Sequence, residues 1–134
     1  MKPIKVVIRY ADGRLIKGYT NNFFPNKPLF HLHSVESQPT DKGIDVYLRD
    51  LKAVFFVKDF TGQPAYNEKK CFAEGQQSSG RKVEVTFKDG EVLVGSTLSY
   101  NADGRSFFVI PADTQSNNLR VFVVSTAVSK LVFL

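Results

Sequence analysis

Lys82-Val83-Glu84-Val85-Thr86-Phe87-Lys88-Asp89-Gly90-Glu91-Val92-Leu93-Val94-Gly95 restates Lys5-Val6-Val7-Ile8-Arg9-Tyr10-Ala11-Asp12-Gly13-Arg14-Leu15-Ile16-Lys17-Gly18 at an offset of 77 residues. The same offset runs on without a gap. Phe30 meets Phe107, Leu32 meets Val109, Val46 meets Val123, and Leu51-Lys52-Ala53-Val54-Phe55-Phe56-Val57 meets Val128-Ser129-Lys130-Leu131-Val132-Phe133-Leu134. A long internal repeat sets the structural unit before any fold is considered. The chain therefore divides into a first copy over residues 1–57, a connector over 58–81 and a second copy over 82–134.

Period-two alternation of apolar and polar residues reads as β-strand. Val6/Val83, Ile8/Val85 and Tyr10/Phe87 stay apolar in both copies while Val7/Glu84 and Arg9/Thr86 change, so the first set is expected to face a core. Asp12-Gly13 and Asp89-Gly90 are hairpin signals, because glycine adopts positive φ without penalty. Gly18 and Gly95 fall inside the second strand of each copy, where glycine marks a bend or bulge. Third strands are expected over Leu29–Val35 and Ser106–Pro111. The closing pairs are Ile44–Leu48 with Ala53–Val57, and Arg120–Val124 with Lys130–Leu134. No segment carries a sustained helical period.

Forty-three per cent apolar and 13% aromatic residues, with 12 Phe and no Trp, supply enough hydrophobic material for a folded protein. Lobes of roughly 50 residues lie near the lower limit for a single core, so they are expected to pack on each other or on a partner. No apolar run approaches the ~20 residues of a membrane span, and no signal-peptide pattern follows Met1. The single cysteine, Cys71, cannot form an internal disulfide, and a reducing, cytoplasmic setting is expected. The net charge of +5 is uneven: residues 5–57 carry eight Lys/Arg against five Asp/Glu, and residues 82–134 carry five against five.

Val6-x-Ile8-x-Tyr10-x-Asp12-Gly13-Arg14-x-x-x-Gly18 is similar to the first signature of Sm-like proteins, and Leu48-Arg49-Asp50 before Val54 is similar to their second. The resemblance implies an all-β chain of two tandem small antiparallel β-barrels, Sm-like or SH3-like. It does not extend to the family's uridine pocket, because Phe24-Pro25-Asn26-Lys27-Pro28 and Asn101-Ala102-Asp103-Gly104-Arg105 stand where that pocket's motif would be. Ala53-Val54-Phe55-Phe56-Val57-Lys58-Asp59-Phe60 and Pro111-Ala112-Asp113-Thr114-Gln115-Ser116-Asn117-Asn118 resemble stretches of bacterial proteins of unassigned role, which implies a binding or regulatory accessory function.

No nucleophile elbow, P-loop or dinucleotide fingerprint occurs, and Asp12 and Asp89 belong to turns, so an enzyme ranks last and no cofactor is expected. His31 and His33 stand at i and i+2 on a strand, a spacing two metal ligands use. Their counterparts Phe108 and Ile110 favour two half-buried packing rings instead. Cys71 beside Phe72 is expected to pack as a small hydrophobe. Arg14, Lys17, Lys27, Arg49 and Lys52 with Tyr19 in the first copy offer cations and a ring suited to single-stranded RNA or DNA. That is the alternative reading. The leading one is a binding or assembly module that meets a protein partner, or itself, at strand edges. Leu131-Val132-Phe133-Leu134 is the expected edge, being apolar throughout and in need of cover.

Overall fold

Alternation becomes strand wherever the sequence carries it. The structure, a computed structural model, describes residues 4–35, 43–60, 72, 75–78, 80–98, 100 and 106–134. The first copy forms β1 (Ile4–Tyr10), β2 (Leu15–Thr20), β3 (Leu29–Ser34), β4 (Ile44–Tyr47) and β5 (Leu51–Val57). The second forms β6 (Arg81–Phe87), β7 (Val92–Thr97), β8 (Phe107–Pro111), β9 (Asn118–Val123) and β10 (Val128–Phe133). One 3-10 turn precedes the last strand of each copy, at Leu48–Asp50 and Ser125–Ala127. Val6, Ile8, Val83, Val85 and Phe87 are buried as the alternation predicts, and Tyr10 is half-buried. Gly13 and Gly90 take φ of 99° and 93°, the left-handed backbone that their Asp-Gly turns require.

The strands form one antiparallel sheet in the order β10-β6-β7-β8-β9-β5-β1-β2-β3-β4. This corrects the expectation of two closed barrels. In neither lobe does the first strand of the order meet the last. Within each lobe the order is the same, and the lobes join where β5 of the first pairs with β9 of the second. Ala53 lies opposite Val123, Val54 opposite Phe122 and Phe55 opposite Val121. A strand pairs with whichever neighbour covers its edge, and here β5 finds that neighbour in the other copy.

Gly18 and Gly95 sit at close contacts between strands. Only two rungs link β2 to β3 (Gly18↔Ser34, Tyr19↔His33) and two link β7 to β8 (Gly95↔Pro111, Ser96↔Ile110). A Cβ on Gly18 would lie 2.5 Å from the His33 carbonyl oxygen, and one on Gly95 would overlap the Ile110 carbonyl oxygen. Glycine is there because the neighbouring backbone leaves no room for a side chain.

Two cores flank the join, and each borrows from the other copy. The first lobe buries Val6, Ile8, Phe30, Leu32, Val46, Leu51, Val54 and Phe56 together with Phe122 and Val124 from the second copy. The second lobe buries its own Val83, Val85, Leu93, Val109 and Val121, among others, together with Ala53, Phe55 and Val57 of β5. Successive side chains of a strand point to opposite faces, so β5 feeds one core with one face and the other core with the other.

Candidate functional site

The join between the lobes is the best-defined constellation in the molecule. All seven residues of β5 are buried. Lys52, whose side chain is only 7% exposed, sends its ammonium to Asp89 Oδ2 at 2.7 Å and to Glu91 Oε1, both at the β6–β7 turn of the second copy. It also lies over the Phe87 ring, 4.7 Å from the centroid. A buried cation needs paired charges, and both come from the opposite lobe. Hydrogen bonding from Lys52, followed by the Glu91 backbone N–H, holds the Asp89 carboxyl below its ordinary value of 3.8.

That shift has a pH consequence with a definite sign. A carboxyl depressed in the folded state adds stability above its unfolded pKa, and the contribution is lost as pH falls through the folded value. Asp89 is 55% exposed, so screening keeps the contribution under about 1 kcal/mol. Asp89→Asn is therefore expected to lower thermal stability less at pH 3 than at pH 7. Equal losses at both pH values would show that Asp89 is uncoupled from Lys52.

Aromatic packing closes the same join on the first-lobe side. Phe23 sits 5.0 Å from Phe30, 5.3 Å from Phe56 and 5.2 Å from Phe122, edge to face in each case. Arg120 spans Phe56 and Phe108 at 4.4 and 4.5 Å, and partial burial pushes its pKa down. The connector fastens here too. Lys58 N–H donates to the Asn117 carbonyl at 2.9 Å, Asp59 N–H to Asn117 Oδ1 at 3.2 Å, and Asn117 Nδ2 to the Asp59 carbonyl at 2.9 Å. Lys58-Asp59-Phe60 and the Asp113–Asn118 loop, remote in sequence, are one contact in space.

Among the described residues the two ends of the sheet are its open edges, β10 and β4. They correspond, at the 77-residue offset, to the two strands of the join: β10 to β5, and β4 to β9. Their burial differs sharply from that of their counterparts. No residue of β10 is buried, and on β4 only Val46 is, whereas Val121, Phe122 and Val123 of β9 all are. Beside β4 runs a groove of about 490 Å³ lined by Leu15, Ile16, Lys17, Ser34, Val35 and Ile44.

The expected edge residues Leu131, Val132, Phe133 and Leu134 thus lie on or directly after an outer strand. Leu131 and Val132 are half-buried, and Phe133 and Leu134 are exposed. The cations expected to meet nucleic acid have partners within the chain. Arg14 pairs with Asp12 at 2.9 Å, Lys17 donates to the Phe60 carbonyl at 2.7 Å, and Tyr19 packs on Phe60 at 5.2 Å. Lys52 is in the join. Lys27 stands over Phe24 at 5.0 Å and Arg49 over Tyr47 at 5.1 Å. His31 and His33 make an edge-to-face pair at 5.1 Å. His31 is half-buried with Nδ1 3.2 Å from Asp45 Oδ1, and His33 is exposed. Among the described residues no three His, Cys, Asp or Glu side chains gather as metal ligands. Cys71 lies outside the described residues. The sequence reading did not single out Ile44, Ile16 or the pairing of Lys52 with Asp89 and Glu91. The difference between buried Lys52 and exposed Ser129, its counterpart in β10, was the available signal.

The model of a family of unknown function, DUF6982, matches residues 2–134, so the chain belongs to that family. No curated protein and no solved structure matches it. The match spans both copies and the connector as one unit. An Sm-like assignment does not follow from it.

Proposed function

We propose that this member of family DUF6982 is a non-enzymatic assembly module that associates with further copies of itself through the open strand edges β10 and β4. One observation carries the reading. The strand Leu51–Val57 is buried along its whole length where a partner strand lies beside it, while its counterpart Val128–Phe133 has, among the described residues, no partner on its outer side and no buried residue. Unpaired backbone groups beside an apolar strand are a template for strand addition.

Sedimentation velocity over a micromolar to millimolar series is the test. The weight-average mass is expected to rise with concentration, and a monomer at every concentration would overturn the reading. Leu134→Asp alters a side chain that is 62% exposed, so the fold tolerates it. Removing an apolar side chain from an edge that association would bury, and adding charge there, is expected to weaken association about tenfold or more.

A further inference from the structure

Resting on the edge-association reading, we infer that copies join head to tail: β10 of one copy pairs with β4 of the next and seats Val132 and Leu134 in the groove beside β4. The internal join is the pattern for this arrangement. It unites a closing strand, β5, with a fourth strand, β9, and the edges left over are again one closing strand, β10, and one fourth strand, β4. A join between unlike edges always leaves the complementary pair exposed at its two ends, which is the heterologous geometry of rings and filaments.

The groove marks the seat. In the second lobe Leu93 and Val121 are buried in one cluster with Phe55 and Val57 of β5. The equivalents of Leu93 and Val121 in the first lobe are Ile16 and Ile44, which line the groove, and Ile44 is 43% exposed. The equivalents of Phe55 and Val57 are Val132 and Leu134 on the β10 side. Among the described residues, one lobe has its insert and the other has the receptacle without one.

The outer join lacks the Lys52 ion pair, because Ser129 stands in its place and Asp12 and Arg14 stand where Asp89 and Glu91 do. It is therefore weaker than the inner join and reversible.

The register follows from the inner join. Transferring its rungs by 77 residues places Lys130 opposite Val46, Leu131 opposite Asp45 and Val132 opposite Ile44. Val124 N–H donates to the Lys52 carbonyl at 3.1 Å, so hydrogen-bonded rungs alternate from there, and Phe55–Val121 is a non-bonded rung with close side chains. Its counterpart, Val132–Ile44, has the spacing that a disulfide spans.

Cysteine pairs test this on the full-length chain. In a Cys71→Ser background, Ile44→Cys and Val132→Cys proteins are made separately, checked for an unchanged circular-dichroism spectrum, mixed and oxidised mildly. The expected product is an intermolecular disulfide in the mixture and none in either protein alone. Ile44→Cys mixed with Phe133→Cys is expected to give none, because a one-residue slip turns the thiol to the other face. Cross-linking of Val132→Cys alone or Ile44→Cys alone, cross-linking through Phe133→Cys in place of Val132→Cys, or no cross-link from a protein that does self-associate would each overturn the head-to-tail register while leaving edge association standing. A chain that stays monomeric in sedimentation would instead remove the edge reading itself.

Discussion

Phe122→Ala is expected to destabilise the protein by about 3–5 kcal/mol, the cost of truncating a fully buried phenylalanine. Phe122 is 1% exposed and packs 5.2 Å from Phe23 and 5.0 Å from Phe108. It belongs to β9 of the second copy, yet the cluster that it completes is the first lobe's core. The loss is thus expected to fall first on the lobe that borrows the ring. Urea unfolding followed by circular dichroism gives the size of the loss, and hydrogen exchange gives its location. Amides of β1 and β3 should lose protection before those of β6 and β8. A loss below about 1 kcal/mol, or one confined to the second lobe, would show that the borrowed ring does not hold the first core together.

Gly95→Ala is expected to cost about 3 kcal/mol, at the upper end for side chains forced into a packed space. The added methyl group would overlap the Ile110 carbonyl oxygen and also meet Val109 Cγ1 at 2.7 Å. Backbone cannot swing aside as a flexible side chain can, so β7 and β8 must part, and only two rungs hold them together. A thermal midpoint within a degree of the parent protein would show that the two strands separate at little cost. The same substitution in an open turn would cost only the conformational preference of glycine.

The offset of 77 residues lays out the strands, the Asp-Gly turns and the inward-facing Val and Ile positions. It did not reveal which edges meet. Strand pairing within a copy and between copies uses the same backbone groups, so the alternation of Ile44-Asp45-Val46-Tyr47 reads alike for an outer strand and for an inner one. A signal was present in Ala53-Val54-Phe55-Phe56-Val57, whose unbroken apolar run marks a strand covered on both faces. The second copy opens that strand with Ser129 and Lys130 instead, in keeping with an exposed edge. Lys52 reads in the sequence as a cation for nucleic acid because its partners, Asp89 and Glu91, lie 37 and 39 residues further along the chain. The apolar edge Leu131–Leu134 was legible from its composition. The groove at Ile16 and Ile44 was not, since an empty site exists only relative to the filled one in the other lobe.

The position of the join also bears on how the chain folds. Strands β1 and β2, and likewise β6 and β7, are hairpins whose ends meet after a short loop, so each can form early at small entropic cost. Ala53 and Val123 meet only after the loop between them has closed, and both cores stay incomplete until they do. Non-local pairing of this kind sets the slow step in folding. The rate at which a newly made chain reaches its native state is thus governed by the β5–β9 encounter rather than by either lobe, and until that encounter the apolar run Ala53–Val57 of β5 lacks the neighbour that covers it.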